Sequence, residues 1–438
     1  MPARLPVDEI ATACVGAALV AAARLHEARG GHPAAIALDG ASVQAAIRSE
    51  RYFRADGRAT GIGFAPQSRF WQADDGFVRT HANYPWHHRA LLEAIGTDDI
   101  SLAGAIGSLP AEELERRVFA AGGIAAAVRT PAEWDAHPHG LTLADEPIVT
   151  RKRLGEAVPR RRRPALDPQT GAPEPAGGIR VLDLTRVIAG PVCSRYLGAL
   201  GADVLRIDPP RLPDLERGHP ADTLLGKSSA FLDFNTTAGA ETLEALLVDA
   251  DVLLIGYRPS SLDRFGLAPA DLAKRHPGLV VLQIAAWGHS GPWAERRGFD
   301  SIVQAASGIA SIEADEDGAP GALPCQLLDH GTGYLATAAT LEALAEQARE
   351  GGTQLRRLSL ARTARWLIGA TGDRPASTTG GSSSGRDLEP APLTGPVPVL
   401  AVPPPGRIDG LALRWPEPVT GYGDDAPCWI GAGQPTPN

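Results

Sequence analysis

Residues 178–209 place the strongest constraint on how this chain can fold. An apolar run at 179–184 is followed by a turn, an amphipathic segment at 192–200 that ends before a glycine, and a second run at 203–207. This order predicts a strand, a helix and a second strand, which together form a βαβ unit. The loop after the first strand then lies at the carboxyl edge of a parallel sheet, where α/β proteins bind their ligands.

The same alternation continues to residue 287 and predicts an α/β domain with a doubly wound parallel sheet, covered by helices on both faces. A dinucleotide site is not indicated, because no G-x-G-x-x-G pattern follows the first strand. The predicted strands are 179–184, 203–208, 230–234, 252–257 and 279–285, and the predicted helices are 192–200, 239–249, 260–265 and 269–275.

Five sequence blocks in a fixed order resemble the family III CoA-transferases, the group that includes formyl-CoA and carnitine CoA-transferases. The blocks are residues 178–191, 226–233, 251–266, 287–293 together with 298–300, and 324–333. The resemblance implies an acyl-CoA:carboxylate CoA-transferase. Its substrates would be an acyl-CoA and a carboxylic acid acceptor, with coenzyme A as a substrate and no tightly bound cofactor or metal.

Asp329 is the candidate nucleophile. On local sequence alone it reads as the N-cap of a helix over 334–348, because aspartate is favoured at helix starts. Its place in a P-x-x-x-x-D-x-x-x-G block matches the aspartate that the family uses as nucleophile, which implies an aspartyl mixed anhydride and an aspartyl-CoA thioester. The flanking glycines would then let backbone N–H groups approach an oxyanion.

The resemblance also implies a set of residues that contact coenzyme A, whose phosphates and adenine need cations and a flat apolar surface. Taken alone, each of the cations could equally be an ordinary surface charge. The implied contacts are Val187 and Ala189 in the first loop, Lys227, Tyr257, Arg258 and Arg264.

Two other functions stay open. The related α-methylacyl-CoA racemases use a histidine in a Gly-His-Asp block, where this chain has Phe299, and a phenylalanine cannot move a proton. The second alternative is a catalytically silent CoA-binding homologue, since the family's glycine-rich loop has no clear counterpart here.

The domain order departs from the family pattern, because a small α+β domain precedes the large domain. A repeat between residues 16–47 and 333–368 suggests two fused copies, although chance similarity of two alanine-rich helices would also explain it.

A polar cluster in the small domain could hold the acyl group or lie at a domain interface. It consists of His81, Asn83, Tyr84 and His87. The predicted units are a helical segment resembling the large-domain return (1–48), the small domain (49–150), a basic, proline-rich linker (151–177), the large CoA-binding domain (178–370), and a linker with a wrapping tail (371–438).

Composition excludes several classes of protein. The net charge of −9 argues against a nucleic-acid binder, and four scattered cysteines fit neither a disulfide framework nor a zinc site. The apolar stretch at 10–25 is too short to span a bilayer and lacks the basic flank of a signal peptide. We therefore expect no membrane contact and a cytoplasmic location. The linkage between the large and small domains, together with the wrapping tail, leads us to expect a homodimer.

Overall fold

The computed structural model describes residues 3–60, 63–160, 162, 165–167, 171–370 and 390–430. Short 3₁₀ turns occur at Asp222–Leu224 and Asp263–Phe265. The α-helices are α1 (Val7–Ala28), α2 (Gly40–Ala46), α3 (Ser49–Tyr52), α4 (Pro85–Ile95), α5 (Leu102–Gly107), α6 (Ala111–Ala120), α7 (Pro131–Ala136), α8 (Pro138–Leu143), α9 (Ala189–Ala199), α10 (Thr237–Asp249), α11 (Pro269–Arg275), α12 (Asp300–Ser307), α13 (Ile309–Ile312), α14 (Leu327–Glu350) and α15 (Leu360–Gly369).

The β-strands fall into one large sheet and several small antiparallel sheets. They are β1 (Ile36–Ala37), β2 (Arg54–Ala55), β3 (Arg58–Ala59), β4 (Phe70–Gln72), β5 (Phe77–Thr80), β6 (Ala125–Ala127), β7 (Thr150–Gly155), β8 (Ala165–Leu166), β9 (Pro173–Glu174), β10 (Arg180–Leu184), β11 (Asp203–Asp208), β12 (Ser228–Phe231), β13 (Val252–Ile255), β14 (Val280–Ala285), β15 (Thr353–Ser359), β16 (Ala391–Leu393), β17 (Val399–Ala401), β18 (Arg407–Ile408) and β19 (Leu411–Ala412).

The large sheet has the strand order β12-β11-β10-β13-β14-β15-β7. Strands β10 to β15 run parallel, and β7 pairs antiparallel with β15 at the edge. The chain moves outward from β10 in one direction and returns to β13 on its other side. The carboxyl ends of β10 and β13 therefore form the switch point where sheets of this kind bind ligands.

Both faces of the sheet are covered, as a parallel sheet requires. Helices α9, α14 and α1 pack in layers on one face, while α10 and α11 cover the other. An alanine-rich face lets α1 lie close against α14. The apolar stretch at 10–25 is thus a buried helix of the protein. Among the helices that the structure describes, none combines the length and the apolar character needed to cross a membrane.

The small domain consists of the antiparallel sheet β4-β5-β6 with α4, α5 and α6 packed around its own core. Its contact with the large domain includes a hydrogen bond from the Arg129 backbone N–H to the Ala305 carbonyl (3.1 Å). The C-terminal residues 390–430 form short strands against the N-terminal part of the chain: β17 pairs with β2, and β18 pairs with β1.

Most of the predicted elements of the large domain are confirmed. Strand β11 and helix α11 match their predicted bounds, and the other strands differ by one to three residues at an end. Two predictions are wrong. The predicted helix at 260–265 is a single 3₁₀ turn, because Gly266 adopts a left-handed conformation (φ 74°) and ends it. Part of the predicted linker is the edge strand β7, whose backbone hydrogen bonds to β15 hold three exposed basic side chains in place.

Candidate active site

A cleft with a volume of about 680 Å³ opens at the switch point of the large sheet. Its floor and walls come from the loops after β10, β13 and β14, the first turn of α14, and helix α4 of the small domain. Five of the six predicted CoA contacts line this one cleft, as does the predicted nucleophile. These residues are Val187, Ala189, Tyr257, Arg258, Arg264 and Asp329.

The loop after β10 is held in an unusual conformation. Val187 has a φ of +66°, a left-handed backbone that a β-branched residue rarely adopts. Its N–H donates to Asp214 Oδ2 (3.0 Å), and a Cβ added at Gly190 would lie 2.2 Å from the Thr185 Cβ. Strained backbone of this kind concentrates at ligand sites, so the loop is shaped to bring main chain close to a bound molecule.

Lys227 does not lie in the cleft, although the family resemblance implied that it would contact CoA. Its Nζ is fully buried behind the β10 loop, where it donates to Ser194 Oγ (2.6 Å), Asp183 Oδ2 (3.1 Å) and the Pro191 carbonyl (3.3 Å). Burial lowers the pKa of Lys227 to about 8. Through these hydrogen bonds Lys227 holds the first turns of α9, and with them the loop after β10, in place.

The cleft carries more positive charge than the sequence predicted. Arg186, Arg296 and Arg297 line it alongside Arg258 and Arg264. Burial and then the neighbouring charge of Arg258 lower the pKa of Arg297, so two guanidinium groups here repel each other. No sequence signal singles out Arg297, because it lies between two of the blocks; in the structure its side chain donates to the Gly122 carbonyl of the small domain.

Three of these cations have no carboxylate partner among the residues that the structure describes. The side chains of Arg258 and Arg297 donate to backbone carbonyl oxygens at 3.4 and 3.2 Å, while the Arg264 guanidinium lies 4.5 Å from the centre of the Phe265 ring. By contrast, Arg296 is held by Glu115 (3.2 Å). Neighbouring arginines without carboxylate partners are well placed to bind phosphate groups.

Asp329 occupies the third position of α14, and the N-cap of that helix is Gln326. The N-cap alternative is therefore wrong, and the helix begins at Leu327 rather than at 334. The glycines after Asp329 lie inside the helix. A Cβ at Gly333 would come within 2.6 Å of the Ala189 carbonyl, so this glycine lets α14 pack closely against α9.

The Asp329 carboxylate is 4% exposed, and its Oδ2 has no hydrogen-bond partner among the described residues. Burial raises the pKa of Asp329 well above its ordinary value, and the charges of Asp300 and Glu50 raise it further. A buried carboxylate oxygen without a hydrogen-bond partner is costly, and carboxyl groups with strongly raised pKa values concentrate at functional sites.

Asp300 fixes the backbone beside this carboxylate. Its Oδ2 accepts a hydrogen bond from the Asp329 backbone N–H (3.1 Å), and its other oxygen accepts one from Gln304. Asp300 is fully buried, which raises its pKa to about 6. On the other side, His330 Nε2 lies 3.1 Å from Glu50 Oε2. Glu50, from the N-terminal part of the chain, was not predicted, since nothing local to α3 signals a contact with α14.

Four side chains, which we call the aromatic cluster, close the cleft on the side of the small domain: His81, Tyr84, Trp86 and Phe299. His81 stacks on Phe299 (3.8 Å between ring centres), and Tyr84 stacks on Trp86 (4.8 Å). Burial lowers the pKa of His81 to about 3 and that of His87 to about 4, so both rings are neutral near pH 7. The predicted polar cluster is therefore at the domain interface. No group of His, Cys, Asp or Glu side chains in the described ranges could hold a metal ion.

Comparison with known proteins agrees with this architecture. Residues 177–392 match the model of CoA-transferase family III. The matched part, which is just under half of the chain, is thus a CoA-transferase family III region. The five blocks that resembled this family in the sequence all lie within the matched residues, and the large sheet has the α/β fold that the resemblance implied.

The family relatives match only part of the chain. An acyl-CoA transferase of Gibberella moniliformis is 34% identical over 56% of the chain and 44% of its own length. A probable fatty acyl-CoA transferase of Mycobacterium tuberculosis is 33% identical over 42% and 50%. A formyl-CoA:oxalate CoA-transferase of Afipia carboxidovorans is 32% identical over 40% and 44%. The chain thus spans about half the length of these relatives.

Solved structures show the same partial coverage. A CAIB/BAIF family protein from Brucella suis is 29% identical, covering 46% of this chain and 59% of that one, with a TM-score of 0.41. A Mycobacterium tuberculosis protein is 30% identical, with coverages of 45% and 57% and a TM-score of 0.42.

Proposed function

We propose that this protein is an acyl-CoA:carboxylate CoA-transferase with Asp329 as its nucleophile. One observation carries the proposal: Asp329 lines a cleft that five arginines also line, and its buried Oδ2 has no hydrogen-bond partner among the described residues. The family match and the names of its relatives point to the same chemistry. An unpaired carboxylate in a water-poor site is a stronger nucleophile than a solvated one, because no hydration shell must be removed before attack.

The proposed reaction begins when an Asp329 oxygen attacks the thioester carbonyl. The C–S bond breaks, and a mixed anhydride and CoA thiolate form. The thiolate then attacks the aspartyl carbonyl and releases the first acid as a carboxylate, so that CoA is held as a thioester of Asp329. An incoming carboxylate reverses both steps with the new acyl group, which restores the free Asp329. No net proton is gained or lost.

We assign the contacts to coenzyme A within the same cleft. The cations without carboxylate partners, Arg258, Arg264 and Arg297, would bind the phosphates, while Tyr257 and the loop of Val187 and Ala189 would contact the rest of the molecule. Lys227 is left out of this set because its ammonium group is committed to buried partners. A tightly bound cofactor is not part of the proposal.

The direct test is a transfer assay with an acyl-CoA donor and an isotopically labelled carboxylic acid acceptor. Appearance of the label in a new CoA thioester supports the proposal. Exchange of the α-hydrogen of an acyl-CoA without any transfer would instead establish the racemase alternative. Binding of CoA without either reaction would establish the silent homologue. The homodimer and the cytoplasmic location stay predictions, and a monomeric mass at micromolar concentration would contradict the first.

Arg258→Ala and Arg297→Ala are each expected to weaken binding of coenzyme A by roughly 10- to 100-fold. The reason is that a charge-assisted hydrogen bond contributes about 1.5–3 kcal/mol. Calorimetric titration with CoA measures the change. Arg116→Ala serves as the control, because Arg116 is exposed and pairs with Glu113 on α6. Equal affinity in all three variants and the parent would remove these arginines from the CoA site.

The pH dependence of transfer should follow the raised pKa values of the buried carboxyls. Asp329 must be ionised to attack, so kcat/KM is expected to rise with pH well above the range in which an ordinary aspartate ionises, because burial and the charges of Asp300 and Glu50 raise the Asp329 pKa. Asp300→Asn removes a negative charge while keeping an oxygen that can accept the Asp329 N–H. The acidic limb should then move down by about one pH unit. An unchanged profile would show that Asp300 does not set the ionisation of Asp329.

A further inference from the structure

A second cavity, with a volume of about 410 Å³, is separated from the cleft by the aromatic cluster. Four residues border both spaces: Tyr84, Trp86, Val187 and Phe299. The stack of Phe299 on His81 thus forms part of the partition between them. The cavity is also lined by residues from the N-terminal part of the chain, which lies outside the region that matches the family.

This cavity is next to the proposed nucleophile. Gln326, the N-cap residue of α14, lines it three positions before Asp329. Glu50 lines it as well and contacts His330, the residue directly after Asp329. The charge of Glu50 also contributes to the raised pKa of Asp329, which places the two carboxylates within electrostatic range. Gln326 and Glu50 thus bring this cavity close to the backbone around Asp329, whose own side chain lines the cleft.

The walls of the cavity are mostly apolar. Aromatic and aliphatic side chains supply most of the lining, which is typical of a site for a hydrocarbon group. These side chains are Phe64, Tyr84, Pro85, Trp86, Val187, Ile188, Pro213, Leu215, Ala221 and Phe299.

The charged groups that line the cavity are all acidic. Asp214 forms an ion pair with the buried Arg206 (2.9 Å), and Asp222 forms one with the buried Arg195 (2.5 Å), so the charges of both carboxylates are balanced. Glu50 has His330 Nε2 at 3.1 Å and Arg51 Nε at 3.8 Å, although neither of these residues lines the cavity. Burial acts to raise the pKa of Glu50, but these two neighbours leave it below the ordinary value, so Glu50 is ionised. Among the described residues that line this space there is no lysine or arginine, and the buried His81 is neutral.

We propose that the second cavity holds the hydrocarbon part of the transferred acid and selects uncharged, apolar acyl groups over those with a second carboxylate. A distal carboxylate would lose water beside Glu50 and find no cation to pair with. The inference rests on the proposed function, because it assigns the acyl group of the same reaction. It names a class of substrate: thioesters of monocarboxylic acids with an aliphatic or aromatic chain.

The test compares two thioesters of equal chain length. Butyryl-CoA and succinyl-CoA each carry four acyl carbons and differ at the far end, which is a methyl group in one and a carboxylate in the other. With acetate as acceptor, kcat/KM is expected to be at least about tenfold higher for butyryl-CoA. Binding of both thioesters to the Asp329→Asn variant, measured by calorimetry, should show the same order without depending on turnover.

The Glu50→Gln variant tests whether the wall of the cavity causes the preference for butyryl-CoA over succinyl-CoA. The substitution removes one negative charge from the wall and keeps an oxygen that can accept a hydrogen bond from His330. The ratio of butyryl-CoA to succinyl-CoA affinity should therefore fall several-fold. Glu113→Gln is the matched control, because Glu113 pairs with arginines on the exposed face of α6 and should leave the ratio unchanged.

The outcomes separate the two proposals. Equal or better use of succinyl-CoA would overturn the assignment of the cavity and leave the transferase proposal standing. Absence of transfer from any thioester would overturn the proposed function. The calorimetric comparison of the two thioesters with Asp329→Asn would still test whether the cavity prefers an apolar acyl group. A Glu50→Gln variant with an unchanged ratio would show that the cavity wall does not set the preference.

Discussion

The Asp329→Asn variant is expected to lose CoA transfer by about 10⁴-fold or more, the scale seen when a nucleophile is removed from an enzyme. An amide nitrogen or oxygen cannot form the mixed anhydride, so turnover should fall while the affinity for CoA stays near that of the parent. Stability should not fall, because Gln326 is the N-cap of α14 and the substitution removes an unpaired buried charge.

Steady-state assays and thermal unfolding measure these effects together. Glu342→Gln is a matched control on the same helix, since Glu342 pairs with Arg24 far from the cleft. If Asp329→Asn retained more than a tenth of the parent rate, Asp329 could not be the nucleophile. If the variant unfolded at a much lower temperature, its loss of activity would have to be assigned to structure.

Lys227→Met is expected to lower the free energy of unfolding by about 3–5 kcal/mol. The buried ammonium is the partner of Asp183, and removing it leaves an uncompensated carboxylate in the core. Denaturant titration measures the loss. The double variant Lys227→Met, Asp183→Asn should recover part of it, because no unpaired charge remains.

Lys274→Met provides the comparison for Lys227. Lys274 is exposed and pairs with Asp271 on α11, so its substitution should change stability by about 0–1 kcal/mol. A Lys227→Met protein as stable as the parent but with weaker CoA binding would restore Lys227 to the CoA site. That result would require the ammonium group to leave its buried partners.

The sequence predicted the large domain well because its signals are local. Strands β10, β13 and β14 are short apolar runs between turn residues, so the periodicity defines them without knowledge of the partner strands. Strand β7 was missed for the opposite reason. Its residues include Arg151, Lys152 and Arg153, whose side chains point to solvent from an edge strand, and only the pairing with β15 makes this segment a strand.

The candidate site was predicted where it depends on a motif and missed where it depends on packing between distant segments. Asp329 and the loop of Val187 belong to sequence blocks with a fixed order. Arg297 and Glu50 belong to none. Arg297 is held by the Gly122 carbonyl of the small domain, and Glu50 reaches the site because α3 folds against the large domain. Lys227 illustrates the converse, since a motif residue can support a site from the interior without touching the ligand.

The most direct test of the account is mass spectrometry of the protein after incubation with acyl-CoA and no acceptor. The account predicts a CoA adduct on the peptide that contains Asp329. Hydroxylamine should remove the adduct and leave an aspartyl hydroxamate at that position, and the adduct should be absent from Asp329→Asn. An unmodified Asp329 peptide under conditions where transfer is measurable, or an adduct on another residue, would contradict covalent catalysis by Asp329.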